Sequence, residues 1–321
     1  MRACAPAFPY CCPSATRPWL ASSLASLRRQ SFTDFEIVAV DDGSRDGSGE
    51  ALERAARDEP RLRVLRTPGA GLPAALNTAL AHARGSLFAR HDADDLSHRD
   101  RFAAQVAALD ARPGVDVVGS RVRLFPARAF GAGMRRWQHW HNALLEHDDI
   151  VRELLIDSPI AHGCVVVRRE ALERVGGWHE RGWAEDLDLW IRLAASGARF
   201  EKLPRTLYGW RQHERSSTRT DARYARERFT ALKVEALDRL FLPAGRTVTL
   251  FGVGESLRRW EAALGARVAL SIEAKRPPRF AAPVEGERIV LAFMSPEARS
   301  RWRRALVTFG WTESRHFIFV A

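Results

Sequence analysis

The sequence predicts an α/β fold built on a mostly parallel sheet, and two observations carry that expectation. Between residues 18 and 111, short apolar runs that read as buried strands alternate with helix-length segments. Two of those runs end directly in acidic turns, Asp41-Asp42-Gly43-Ser44 and Asp92-Ala93-Asp94-Asp95. Open α/β sheets bind ligands at the carboxyl ends of their strands, so both turns stand where chemistry is expected. The length of 321 residues is about twice a typical domain, which implies one large unit and one small one.

Each element follows from local pattern. Pro18 to Arg29 carries Leu20, Leu24 and Leu27 at helical spacing with proline at its start. Phe35 to Val40 reads as a buried strand, Ser48 to Arg57 as a helix, Leu62 to Leu65 as a strand and Leu72 to Ala83 as a helix. Ser86 to Arg90 is strand-like, residues 98–111 helical and Val115 to Phe125 extended. A Gly/Pro/Ala loop is expected at 126–135, then an amphipathic stretch rich in aromatic residues and histidine from Arg136 to Ile156. Gly163 to Val167 is a short strand and Glu185 to Ala195 a helix stopped by Gly197. Arg219 to Leu240 reads as one long helix, and Pro243-Ala244-Gly245 marks a boundary before a strand-turn-helix restart at 246–321.

Composition excludes several classes. With 46% hydrophobic residues and 10 tryptophans the chain can bury a core, and no apolar run reaches the length of a spanning helix. The formal charge of +11 invites a nucleic-acid reading. Only three of the 50 basic residues are lysine (Lys202, Lys233, Lys275), however, and the arginines are spread over the whole chain. A coding composition that favours arginine explains that better than a binding surface, and no nucleic-acid signature is present, so no nucleic-acid partner is expected. Cys4, Cys11, Cys12 and Cys164 form neither a zinc set nor a paired framework. Without a signal-peptide pattern, a cytoplasmic protein in a reducing compartment is expected.

The acidic clusters point to a chemistry. Several carboxylates on one turn after a strand can share a hard cation, which completes its shell with substrate phosphates and water. Asp41 and Asp42 can accept hydrogen bonds from a base or ribose, although an Asp-Gly turn that caps itself is the plain alternative. A third cluster, Glu185-Asp186-Leu187-Asp188, opens a helix, where the dipole favours an ionised general base.

Read together, four blocks resemble the inverting family 2 glycosyltransferases of the GT-A fold. They are Gln30-Ser31-Phe32-Thr33-Asp34-Phe35-Glu36-Ile37-Val38 running into the Asp41-Asp42 turn; Gly71-Leu72-Pro73-Ala74-Ala75-Leu76-Asn77 with Ala83-Arg84-Gly85 and the Asp92 turn; Gly176-Gly177-Trp178 with Ala184 to Leu193; and Tyr208-Gly209-Trp210-Arg211-Gln212-His213. The match covers about residues 18–218. It implies a GT-A (nucleotide-diphospho-sugar transferase) fold, a mixed sheet flanked by helices, over 18–242, with a small Rossmann-like α/β domain at 246–321.

The resemblance also implies roles. Asp41 and Asp42 bind the nucleoside of a sugar-nucleotide donor, and Asn77 sits behind that pocket or packs its helix. Asp92 and Asp94 contact ribose and a divalent Mg or Mn ion, and Asp95 steers the sugar. Asp186 is the general base that deprotonates the acceptor hydroxyl. His213 reaches the metal or phosphates, Arg211 offsets charge on the leaving group, and His162 lies toward the acceptor or serves as a structural histidine. The implied partners are a nucleotide-sugar donor and a glycan or lipid-linked acceptor in surface glycan synthesis, with peripheral contact at the inner face of the membrane allowed by the positive charge.

The sequence departs from the family pattern at its start. Residues 1–17 lack the apolar first strand, and Ala-Pro-Ala-Phe-Pro-Tyr-Cys-Cys-Pro is poor strand material. Read from the third base of the preceding codon, the codons of Tyr10 to Thr16 admit Leu-Leu-Leu-Pro-Val-Arg-Asp, close to the family strand. A local frame slip over residues 1 to about 16 is therefore expected, and resequencing the start of the gene checks it. Were the segment genuine, a catalytically impaired sugar-nucleotide-binding module would become the alternative. A nucleotidyltransferase ranks last, because it needs a glycine-rich phosphate loop near the N-terminus that is not visible. In the tail, Gly252-Val253-Gly254 with Glu273 beyond it resembles part of a dinucleotide fingerprint, but Leu257 replaces the third glycine. Packing or partner recognition is the expected role there, rather than cofactor binding.

Overall fold

The structure is a computed structural model that describes residues 10, 11, 17–243 and 245–321. It divides into two compact units. The first takes in the chain to Ile150 together with Pro159–Arg181 and Asp188–Asp221, and the second comprises Val151–Ser158, Gly182–Leu187 and Ala222–Ala321.

In the first unit the chain runs β1 (Tyr10–Cys11), α1 (Arg17–Arg28), β2 (Ile37–Asp42), α2 (Ser48–Arg57), β3 (Leu62–Thr67), α3 (Leu72–His82), β4 (Leu87–Ala89), β5 (Leu96–Ser97), α4 (Arg101–Ala111) and β6 (Val117–Phe125). It continues through α5 (Ala132–Ala143), α6 (His147–Glu153, whose end enters the second unit), β7 (Val166–Arg168), α7 (Arg169–Arg174), α8 (Glu185–Ala195, whose first residues belong to the second unit), β8 (Phe200–Arg211) and α9 (Ser217–Thr220). The elements expected up to residue 111 form where local pattern placed them. The expected loop at 126–135 is shorter, because α5 already starts at Ala132, and the stretch expected as one long helix from Arg219 is broken before Arg226.

The sheets are mixed. β1, β2 and β3 form a parallel three-stranded sheet, and a five-stranded sheet has the order β4-β7-β6-β8-β5. Within the latter β6 and β8 are parallel, while β4–β7, β6–β7 and β5–β8 are antiparallel. The expectation of a mostly parallel sheet is thus corrected for this half of the unit. The expectation that residues 1–17 hold no strand is corrected too. The backbone of Tyr10–Cys11 pairs with Ala39 and Val40, since an edge of β2 can be satisfied by any extended backbone. Residues 1–9 and 12–16, on which most of the frame-slip reading rests, lie outside the described residues.

Strand β8 was not foreseen, because Pro204 lies within it. The register explains how it is tolerated: Leu203 pairs with Ser120 and the next pair is Thr206 with Arg121, so Pro204 and Arg205 occupy a bulge. The core gathers Leu20, Leu24 and Leu27 of α1 with Ile37 and Ala39 of β2 and Phe102 and Leu109 of α4. Full burial of each Leu or Ile contributes about 1.5–3 kcal/mol. Lys202 of β8 is 1% exposed, and its ammonium donates to the carbonyls of His141 and Pro159. Burial depresses its pKa to about 7.

The second unit contains α10 (Arg226–Leu240), β9 (Val248–Gly252), α11 (Gly254–Leu264), β10 (Val268–Glu273), β11 (Ile289–Ala292), α12 (Pro296–Thr308) and β12 (Phe317–Phe319). Its sheet is wholly parallel in the order β10-β9-β11-β12, around a core of Trp302, Phe251, Phe293 and Phe319. Glu273, at the end of β10, accepts a hydrogen bond from the Gly254 amide at 2.9 Å, so the amino end of α11 is met by the chain's own carboxylate.

Candidate active site

The first unit presents the carboxyl ends of β2, β3 and β4 with their acidic turns. Asp41, the penultimate residue of β2, is buried; its Oδ1 accepts from the Ser44 amide at 3.1 Å, which shapes the turn. Asp42, half-buried, accepts from the Thr67 hydroxyl and from the amides of Ala70 (2.9 Å) and Gly71 (2.7 Å). The two amides belong to the β3–α3 connection, which these charge-assisted bonds hold to Asp42.

Asn77 of α3 makes a reciprocal pair with the backbone of Trp178: its amide donates to the Trp178 carbonyl (2.7 Å) and its Oδ1 accepts from the Trp178 amide (2.9 Å). Gly177 approaches so closely, at φ 68°, that an added Cβ would overlap that Oδ1. Asn77 thereby ties α3 to the Trp178 turn. Asn77→Ala strands one donor and one acceptor of Trp178, and a loss of about 2–4 kcal/mol in unfolding free energy is expected by chemical denaturation. His162 accepts from Trp178 Nε1 at 2.9 Å, which ties it to the same turn.

The Asp92 turn is assembled by β8. Antiparallel pairing of Leu96 with Gly209 and of Ser97 with Tyr208 carries residues 208–213 alongside it. Tyr208, fully buried, donates to Asp95 Oδ2 at 2.7 Å, and its oxygen accepts from the Asp92 amide at 3.1 Å. Asp95 is 0% exposed, and its Oδ1 accepts from the Arg211 amide at 2.6 Å. Burial, reinforced by the Asp94 and Asp92 carboxylates, pushes its pKa well above the ordinary range. Asp95 was expected to steer the sugar; its placement is that of a support beneath the turn. Asp92 is half-buried, and its Oδ1 pairs with the buried Arg90 guanidinium at 2.6 Å. An added Cβ at Gly163 would overlap the Tyr208 hydroxyl and come within 2.7 Å of Asp92 Oδ2, so this close approach requires glycine.

Asp94 is turned the other way. Its Oδ2 lies 2.7 Å from His213 Nε2, with both side chains still partly exposed. His213 Nδ1 is buried without a hydrogen-bond partner, and its ring lies 4.3 Å from that of Trp19 on α1. Arg211 Nε donates to the Asp94 carbonyl at 2.6 Å, and its guanidinium lies over the rings of Phe125 (4.5 Å) and Trp19 (5.5 Å). Among the described residues no three His, Cys, Asp or Glu side chains gather in a metal-binding group. Asp94 offers a hard oxygen ligand and His213 a borderline nitrogen one, so the pair could hold a divalent cation that takes its remaining ligands from a diphosphate and water.

Behind this turn His91 is fully buried between the hydroxyls of Ser23 (2.8 Å) and Ser97 (3.1 Å). Burial, with Arg101 and Arg90 nearby, holds its pKa well below the usual value, so it is a neutral spacer. Sequence reading assigned no role to Tyr208, Arg90, Gly163 or Trp19. A charged residue closing the apolar strand Leu-Phe-Ala-Arg was the available signal for Arg90.

The third acidic cluster separates by environment. Glu185 is buried and accepts from the Tyr224 hydroxyl at 2.9 and 3.0 Å. Asp188 is buried and paired with Arg192 at 2.7 Å. Asp186 is half-buried, with Oδ2 accepting from the Ser158 hydroxyl at 2.9 Å. Of the three carboxylates it is the one that keeps access to solvent.

Comparison with known proteins bears on family and fold. The family described as Glycosyl transferase family 2 matches residues 12–176. EpsE of Bacillus subtilis (strain 168) is 31% identical over 229 residues, which cover 70% of this chain and 79% of that protein. The amylovoran biosynthesis glycosyltransferase AmsE of Erwinia amylovora is 30% identical over 189 residues, covering 59% and 68%. Among solved structures, Staphylococcus aureus TarS 1–349 with UDP-GlcNAc has a TM-score of 0.57 at 20% identity, covering 74% of this chain and 67% of that one. The mannosyltransferase PcManGT of Pyrobaculum calidifontis, solved with GDP-Man and Mn2+, has a TM-score of 0.54 at 22% identity; the match covers 74% of this chain but only 63% of the PcManGT chain. These likenesses carry the GT-A fold, and with the family match they show that the chain belongs to glycosyl transferase family 2, a family of glycosyltransferases.

Proposed function

We propose that this glycosyltransferase is a metal-dependent, inverting enzyme that moves a sugar from a nucleoside-diphosphate donor to an acceptor hydroxyl in the synthesis of a surface or secreted glycan. The observation that carries the reading is the Asp94–His213 pair, 2.7 Å apart and set on a turn that Tyr208 and the Arg211 amide brace through Asp95. A nucleoside diphosphate departs only if its new charge is stabilised, and a divalent ion held by Asp94 and His213 would supply that Lewis acidity. Asp92, engaged with Arg90, orients the ribose rather than completing the metal set. Asp41 and Asp42 hold the loops that receive the nucleoside, and Arg211 offsets charge on the departing phosphate. Asp186 takes the acceptor proton as the hydroxyl attacks the anomeric carbon from the face opposite the diphosphate.

The donors named with the solved neighbours, GDP-Man and UDP-GlcNAc, support a nucleotide-sugar class. The biosynthetic names of relatives such as AmsE support a glycan pathway. No described helix is long and apolar enough to cross a membrane. The test is a panel of nucleotide sugars assayed for donor hydrolysis and transfer with Mn2+, with Mg2+ and with chelator, the product anomer being read by NMR. Metal-stimulated turnover with inverted configuration is expected. Turnover that survives full chelation would overturn the metal role, and retention at the anomeric carbon would overturn the inverting mechanism.

A further inference from the structure

The segment that carries Asp186 is short, so what surrounds it decides where its carboxylate stands. Val151–Ser158 and Gly182–Leu187 belong to the same compact unit as Ala222–Ala321. Asp186 and the Ser158 hydroxyl that donates to it at 2.9 Å therefore both lie in the unit that the C-terminal tail builds.

Two side chains near the start of that tail grip the segment from either side. Lys233 of α10 is 8% exposed, and its ammonium donates to the carbonyls of Ile156 at 2.8 Å and Val320 at 3.4 Å. Ile156 stands two residues before Ser158 and packs against the aromatic core of Phe251, Trp302 and Phe319. Arg303 of α12 donates to Glu153 at 3.2 Å, a second bond from the tail to the chain that leads into Ser158. On the other side, the Tyr224 hydroxyl, in the turn just before α10, lies 2.9 and 3.0 Å from the two carboxylate oxygens of Glu185. Glu185 is buried and is the neighbour of Asp186.

A buried ammonium costs free energy to desolvate, and an apolar side chain of similar length would avoid that cost. What the ammonium adds is a tether, since its donors hold carbonyls from two distant parts of the chain. Bonds from a charged donor are strong ones, so the placement of Ser158 follows that of α10.

We infer that Lys233 and Tyr224 are positioning residues for Asp186, through which the C-terminal tail holds this carboxylate and its Ser158 partner in one arrangement. Both act through neighbours of Asp186, Ile156 and Ser158 on one side and Glu185 on the other. The inference deepens the proposed base role of Asp186 and rests on it, and it gives the tail a part in the transfer step.

The test compares the full chain with Lys233→Met and Tyr224→Phe, using the same panel of nucleotide sugars with Mn2+ and near-UV circular dichroism to verify the fold. Misplacing a catalytic group by about 1 Å can cost about 100-fold, so kcat should fall about 10- to 100-fold in Lys233→Met and about tenfold in Tyr224→Phe. Donor affinity by calorimetric titration should stay at the wild-type value. In an Asp186→Asn background the same substitutions should lower kcat by less than about twofold, because a base already removed cannot be displaced. Hydrogen exchange read by mass spectrometry should quicken in Val151–Ser158 and Gly182–Leu187 but not in β9 or β11. Should Lys233→Met not fold, Tyr224→Phe, which loses only one hydroxyl, carries the same comparison. A folded variant with wild-type kcat or wild-type exchange, a loss equally large on top of Asp186→Asn, or a loss confined to donor affinity would overturn the inference. Wild-type turnover of Asp186→Asn alone would instead overturn the base role beneath it, and no tail variant enters that measurement.

Discussion

Asp186→Asn is expected to lower the transfer rate by about 10² to 10⁴ while leaving donor affinity near the wild-type value. The factor corresponds to about 3–5 kcal/mol of transition-state stabilisation. The substitution is close to isosteric, and the new amide oxygen can still accept from the Ser158 hydroxyl, which now meets Asp186 Oδ2 at 2.9 Å. The amide cannot accept the acceptor's proton, so the loss should appear in kcat. The cluster supplies its own control: Glu185 and Asp188 are both 2% exposed and already bonded to Tyr224 and Arg192. Substituting either should lower stability first. A folded Asp186→Asn protein that loses donor binding together with turnover would move Asp186 out of the base role.

Asp94→Ala is the second large effect expected. It removes the carboxylate that faces His213 and leaves the buried supports, Asp95 with Tyr208, in place. Groups that merely orient a metal ligand are typically worth 10- to 100-fold in affinity, so loss of a ligand itself should cost more than about 100-fold in metal-dependent donor binding. Calorimetric titration of the donor should then give the same weak affinity with Mn2+ as with chelator. A variant whose donor affinity still responds to Mn2+ like the wild type would refute the assignment of Asp94. His213→Ala should act in the same direction, because the two side chains form one pair.

Some of this was legible in the chain. The strand Phe35 to Val40, the turns behind it and the Asp92 turn are local features: an apolar run, a stop and a carboxylate cluster are written in consecutive residues. The strand Phe200–Arg211 was not legible, because Pro204 within it contradicts the strand pattern and only the partner β6 can absorb the bulge. The lysines make the same point. Their rarity is plain in the sequence, but not that Lys202 and Lys233 are buried ammonium groups, the latter donating to the carbonyls of Ile156 (2.8 Å) and Val320 (3.4 Å). An ammonium offers three donors that such converging carbonyls can take up.

The sequence by itself carried the family resemblance, the α/β class and the carboxylates on which the proposed chemistry rests, since motif blocks, apolar runs and acidic turns are written in consecutive residues. Only the tertiary structure decided among neighbours of like composition. Asp92, Asp94 and Asp95 are within four residues of one another, yet one pairs with Arg90, one faces His213, and one is buried under Tyr208 and the Arg211 amide. On a tight turn adjacent side chains point to different sides. Asp92 meets a residue two positions before it, whereas Asp94 and Asp95 meet residues more than a hundred positions away, delivered by the pairing of β5 with β8.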